Sequence, residues 1–162
     1  MRLLTILALA AALLAAPAAA ANHETPILAA RIKPAQPAAA PGGAFALSLV
    51  LTIAPSLHIN GPAAHDAGLI PTKISFSAPP QISFGQPAYP PAKKVRVQFA
   101  DQPVAVYGGE VSIKVPGRVA AGARPGRYAV TAKISYQACD DQVCHLPASL
   151  EVPFSLEVTR GP

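Results

Sequence analysis

The chain has 162 residues, a formal net charge of +5 and two cysteines. Its length suits one domain with a real hydrophobic core, which does not need a disulfide to stay folded. Its basic residues are scattered apart from "KKVRV" at Lys93–Val97. They lack the broad basic patch with interleaved aromatics that a nucleic-acid surface requires, and that run reads as the solvated edge of a sheet.

The N-terminus reads as an export signal. Arg2 supplies a positive start, Leu3 to Ala16 is almost unbroken apolar sequence, and Pro17 and a string of alanines follow. Such a small-residue end favours cleavage over retention as an anchor, and the cut is expected after Ala21. No cysteine stands there, so a lipoprotein is not expected, and no second apolar run approaches spanning length. The expected product is soluble and periplasmic, with no stable membrane insertion after cleavage, in a compartment where disulfides persist.

Residues 22–43 are rich in alanine and proline, including "KPAQPAAAPGG", and read as a semi-rigid N-terminal arm or linker. A first strand over Ile27–Ile32 is expected within it. Residues 44–162 form the expected folded domain. In "AFALSLVLTIA" bulky Phe45, Leu47, Leu49, Leu51 and Ile53 alternate with smaller residues, which is the period of a strand with one buried face. Further strand-like runs span Thr72–Ala78, Lys93–Phe99, Glu110–Val115, Gly126–Ala138 and Ser149–Val158, separated by "PP", "YPP", "GG" and "RPG" breakers. No stretch carries a capped helical period. The pattern predicts an all-β sandwich.

The last two runs bracket the cysteines, in "SYQACDDQVCHLPAS". Even positions from Tyr128 to Ala138 are the more apolar, so Cys139 is expected to point away from the core. In the returning run the even positions Leu146 to Val158 are apolar, and simple parity puts Cys144 on the core side. Cysteines bridged across antiparallel strands must share a face. A bulge or irregular turn near His145–Pro147 would reconcile the two.

Three chemistries fit such a pair. As a structural staple it closes a ring of about six residues, which contributes only about 2 kcal/mol by loop closure. As a metal clip, Cys139, Cys144 and His145 supply soft donors, but Cys144 and His145 are neighbours that point to opposite faces of a strand. His23, His58 and His65 form no close ligand pair in sequence. As a redox couple, the pair has a built-in asymmetry. Asp140 and Asp141 disfavour a thiolate at Cys139, whereas a protonated His145 would favour one at Cys144. On charge alone Cys144 is the attacking thiol and Cys139 the resolving one. Asp140 and Asp141 also suit a plain solvated turn.

The stretch "SYQACDDQVCHLPASLEVPF" resembles the cysteine hairpin of the N-terminal periplasmic domain of the thiol:disulfide interchange protein DsbD. The shared pattern is an aromatic, Gln, a small residue, Cys, an acidic turn, Cys and a following Pro. "LHINGP…GLIPTKISF" and "VAVYGGEVSIKVP" are looser matches to upstream segments of that family. The resemblance covers roughly Ala44 to Val158. It implies an immunoglobulin-like antiparallel β-sandwich with a redox disulfide, Cys139 and Cys144, at one end. A membrane-embedded thiol reductase would reduce that disulfide. The dithiol would then pass electrons to thioredoxin-like periplasmic proteins, among them disulfide isomerases and cytochrome c maturation factors. The second cysteine, here Cys144, would meet the partner. An aromatic cap loop would shield the pair, with Phe99 as the nearest candidate and Tyr107 close by.

The turn holds four residues where some family members hold five, and His145 stands where an aromatic or a Leu-Pro step is usual. A free-standing module is expected, with its electron donor on a separate membrane protein. The expected activity is that of a thiol-disulfide oxidoreductase, or protein-disulfide reductase, with no metal or organic cofactor. The competing class is a non-catalytic β-sandwich binding or assembly module with a structural disulfide.

Overall fold

The computed structural model describes residues 26–63, 68–98 and 100–160. The expected signal peptide lies outside them. Among the described residues twelve strands follow one another: β1 (Leu28–Lys33), β2 (Ala38–Ala39), β3 (Ala44–Ile53), β4 (His58–Asn60), β5 (Lys73–Ser77), β6 (Ile82–Phe84), β7 (Lys93–Val95), β8 (Val104–Tyr107), β9 (Glu110–Val119), β10 (Gly126–Tyr136), β11 (Ala138–Cys139) and β12 (Ala148–Val158). No helix occurs among the described residues.

The strands form three four-stranded sheets, ordered β1-β3-β9-β6, β2-β12-β10-β5 and β11-β4-β8-β7. All pairings are antiparallel except β2 with β12. The fold is an immunoglobulin-like β-sandwich. The stretch read as an arm is tied into it: β1 pairs along β3 with Leu28 and Ile32 buried, and β2 pairs with the end of β12.

The alternation in β3 behaves as its sequence dictates. Phe45, Leu47, Leu49, Leu51 and Ile53 are buried beside Ile113 and Val115 of the neighbouring β9, in one continuous core with Val130, Ala132 and Ile134 of β10 and Leu156 and Val158 of β12. Each such aliphatic side chain contributes about 1.5–3 kcal/mol when removed from water. Phe45 lies across from Gly117, in the space a Cβ there would fill, and meets Phe84 edge-on at 5.6 Å. Phe84 stacks in turn on Phe76 of β5 at 4.0 Å, which joins the two large sheets by aromatic contact.

The third sheet positions the cysteines. Its β11–β4–β8 register aligns Ala138, Ile59 and Tyr107, and all three belong to the main core. Side chains alternate across a strand, so the neighbouring positions His58, Asn60, Val106 and Cys139 look to the opposite face. That second face is covered by a separate small cluster of Leu69, Val97, Val104 and Val106. The sheet is thus apolar on both sides. At its outer edge β7 exposes Lys93 and Lys94, the charged edge anticipated from "KKVRV"; the strand ends at Val95 rather than Phe99.

Candidate functional site: the cysteine hairpin

The chain leaves β10 at Tyr136 and joins the third sheet as β11 after a single residue, Gln137. Cys139 then pairs with Cys144 as an isolated antiparallel bridge. Asp140 N donates to Val143 O at 3.0 Å and His145 N donates to Ala138 O at 2.8 Å. These bonds flank the cysteine pair rather than joining it, so the two occupy a non-hydrogen-bonded site. Opposed residues approach closest there, with side chains on one face. The Cα atoms are 4.0 Å apart and the sulfurs are bonded.

Parity along the hairpin is reset where expected. Three residues, His145 to Pro147, stand opposite two, Gln137 and Ala138, between the bridged cysteines and the β10–β12 register. The extra residue turns Cys144 onto the face of Cys139, away from the main core, so the core-side placement given by simple parity does not hold. Leu146 falls in this bulged stretch and is 88% exposed, not inward-facing like the apolar residues of β12. Cys139 does point away from the main core. It is nevertheless fully buried, although it belongs to neither core cluster. Cys144 is partly exposed and packs against the same cluster. The pair is therefore asymmetric: Cys139 is enclosed and Cys144 is partly exposed.

The turn is built by its aspartates. Asp140 Oδ1 accepts hydrogen bonds from Gln142 N and Val143 N, both at 2.8 Å, an Asx-type cap. Those bonds, to Val143 and then to Gln142, hold the Asp140 carboxyl below its ordinary range, helped by attraction to His145 and His58. Asp141 is exposed, and its carbonyl accepts a bond from Gln98 N at 3.3 Å. His145 is exposed.

Gln137 pins the base of the hairpin. Its Nε2 donates to His145 O at 3.2 Å, while its Oε1 accepts from Ile70 N at 3.0 Å and from Asn60 Nδ2 at 3.4 Å. Asn60 is fully buried and donates to Ile70 O at 3.0 Å, and the Thr72 hydroxyl donates to Asn60 O. This polar knot binds β4, the loop around Ile70 and the cysteine hairpin into one unit.

Of the cap candidates, Phe99 lies outside the described residues. Its neighbours Val97 and Ala100 belong to the cluster against which Cys144 packs, and Gln98 bonds to the acidic turn. Tyr107 sits on the other face of the sheet, buried in the main core, with its hydroxyl donated to Pro90 O at 2.6 Å. Burial pushes its phenol up from the ordinary value, with repulsion from Tyr89 adding to the effect.

One residue beside the pair was not singled out by sequence: His58, the β4 partner of Cys139. Its Nε2 is buried without a hydrogen-bond partner. Burial lowers its pKa from the ordinary value, and the nearby Asp141 and Asp140 oppose the shift. A strand of three residues is too short to show alternation, and only the cross-strand register places His58 at the disulfide. Among the described residues, no group of three or more His, Cys, Asp and Glu side chains is arranged to hold a metal.

The fold and the hairpin together define an immunoglobulin-like sandwich that carries a short disulfide with one cysteine buried and one partly exposed. The family model described as "Thiol:disulfide interchange protein DsbD, N-terminal" matches residues 26–155, and the chain belongs to that family. No curated protein matches it. Among solved structures, the reduced DsbD N-terminal domain of Neisseria meningitidis is 21% identical, with 68% of this chain and 77% of that one covered and a TM-score of 0.46. The N-terminal periplasmic domain of ScsB from Proteus mirabilis is 14% identical, with 81% of this chain and 44% of that one covered and a TM-score of 0.49. A type I cohesin of Pseudobacteroides cellulosolvens is similar in fold at 11% identity, with 83% and 94% covered and a TM-score of 0.51. Family membership and the bonded pair fit thiol:disulfide interchange. Among the described residues no helix is long and apolar enough to cross a membrane.

Proposed function

We propose that this is an exported thiol:disulfide interchange module, cleaved from its signal near Ala21. In this reading it relays electrons from a membrane-embedded thiol reductase to thioredoxin-like periplasmic proteins, including those that serve cytochrome c maturation. The observation that carries the reading is the asymmetry of the pair, with Cys139 fully enclosed and Cys144 accessible at the rim. A reductase thiolate attacks Cys144 Sγ, the Cys139–Cys144 bond breaks, and Cys139 leaves as a thiolate that takes up a proton. A second reductase thiol then displaces Cys144, leaving the dithiol here and a disulfide on the reductase. Toward a client, the Cys144 thiolate attacks a client disulfide and Cys139 resolves the mixed species, returning two electrons to the client. The segment bearing Phe99 serves as the cover, a role supported by the packing of Val97 and Ala100 in the cluster at Cys144.

Single-cysteine trapping tests this. Cys139→Ser, which leaves Cys144 free, is expected to trap a mixed disulfide with a thioredoxin-like protein more readily than Cys144→Ser does. The opposite order would reverse the assignment, and trapping by neither variant would remove the relay.

A further inference from the structure

Three side chains form a row across the third sheet. Cys144 pairs with Cys139, and Cys139 pairs with His58. Residues directly opposed in antiparallel strands put their side chains on the same face, with Cβ atoms about 4.5–5.5 Å apart. The imidazole of His58 therefore flanks the enclosed sulfur, on the side away from Cys144. Its Nε2 is buried and accepts no hydrogen bond while the cysteines are joined. A buried, unpartnered ring nitrogen is an unfavourable arrangement on its own account. The register puts the Cys139 thiol, formed when the disulfide opens, on the same face as this ring.

We propose that His58 is the proton acceptor for Cys139 in the resolving step of exchange. The proposal rests on the interchange reading above. In that step the protein is joined through Cys144 to a partner sulfur, and Cys139 is an enclosed thiol with no direct route to solvent. The Cys139 S–H proton passes to His58 Nε2. The Cys139 thiolate attacks Cys144 Sγ, the Cys139–Cys144 bond forms, the bond from Cys144 to the partner breaks, and the partner leaves as a thiolate. The protonated imidazole then releases its proton to solvent. The two cysteines are oxidised and the partner is reduced by the same two electrons.

The surroundings of His58 suit this role. Burial keeps the ring neutral and able to accept a proton, and Asp141 and Asp140, from the turn after β11, stabilise the imidazolium once it forms. His145, exposed at the end of the same hairpin, acts on Asp140. Continuing the β4–β8 register places Gly108 opposite His58, so that strand brings no titratable side chain to it. With the acceptor lost, Cys139 must ionise unaided.

The test is a two-step reaction of the reduced full chain with glutathione disulfide across pH, acid-quenched and read by intact mass. It compares wild type with His58→Gln. Attack by Cys144 should agree within about two-fold, because His58 lies beyond Cys139. The resolving step should slow at least ten-fold near neutral pH, in line with the roughly 10²–10⁴ that general bases contribute, so that the glutathionylated species accumulates. In wild type the resolving rate should fall as pH drops through the pKa of His58. In the variant that inflection should vanish and the rate should follow thiol ionisation at higher pH. Equal resolving rates, or a deficit constant across pH, would overturn the proposal. Wild-type protein that forms neither the mixed nor the internal disulfide would overturn the interchange reading itself, a result distinct from a normal first step with an unchanged second. If His58→Gln does not fold, the wild-type imidazole nitrogen shifts decide. They should move between oxidised and reduced protein, and identical His58 shifts in both states would overturn the proposal.

Discussion

Replacing both cysteines by alanine separates a disulfide that works from one that merely holds the fold. The bond spans a sequence separation of only five residues. A ring of about that size restricts the unfolded chain by about 2 kcal/mol in the chain-entropy account. Removing the fully buried Cys139 sulfur adds about 1 kcal/mol of lost burial, and the partly exposed Cys144 adds less. Neither cysteine belongs to the main core, which comprises buried residues of β1, β3, β6, β9, β10 and β12 together with Ile59, Tyr107, Ala123 and Ala138. The hairpin also keeps its other supports: the backbone bonds on either side of the pair, the Asp140 cap and the Gln137 knot. A loss of about 3 kcal/mol is modest against the 5–15 kcal/mol typical of a domain. At about 3–4 °C per kcal/mol for a chain of this size, the melting temperature should fall by about 10 °C, with far-UV circular dichroism at 25 °C unchanged. A double variant without a cooperative transition at 25 °C, or one whose melting temperature falls by more than about 25 °C, would refute the reasoning and make the disulfide a structural staple.

Other features of the hairpin give independent outcomes. Leu146→Glu and Val143→Glu alter exposed apolar side chains on either side of Cys144, so they should leave the melting temperature within about 2 °C while slowing exchange with a thioredoxin-like protein and not with glutathione. Equal slowing with both reagents would place those residues outside a docking surface. Asp140→Ala should lower the melting temperature at neutral pH, and Asp140→Asn, which retains the acceptor oxygen, should recover most of the loss. The folded-state pKa of Asp140 is depressed, so its contribution is present above the unfolded carboxylate value and is lost as pH falls through the folded one. Wild-type and Asp140→Ala melting temperatures should therefore converge in acid, and a gap independent of pH would contradict that cause.

Most of the scaffold was legible because long strands with one buried face must alternate. Phe45 to Ile53 in β3 and the even positions of β10 and β12 followed the period-two rule. The acidic turn was legible because aspartate side chains cap backbone donors locally. What sequence did not carry was long-range. The strands β2, β4 and β6 have two or three residues each and exist only through partners elsewhere in the chain. The second cluster on the third sheet brings Leu69 and Val97 together with Val104 and Val106, so burial away from the main core, as at Cys139, was invisible to a rule about one core. Tyr107 looked close to Phe99 along the chain, yet strand alternation sends it to the opposite side of the sheet from the cysteines. His58 came to the site only through its pairing with Cys139.

The central claim is that the Cys139–Cys144 bond is made to be exchanged. Its reduction potential, measured on the exported protein by equilibration in glutathione or dithiothreitol redox buffers with alkylation of free thiols, tests that claim directly. Disulfides of exchange proteins lie between about −270 and −120 mV, and structural ones below about −300 mV. A value within the first range is expected. A potential below about −300 mV would contradict it and leave the hairpin as a structural element of a binding module.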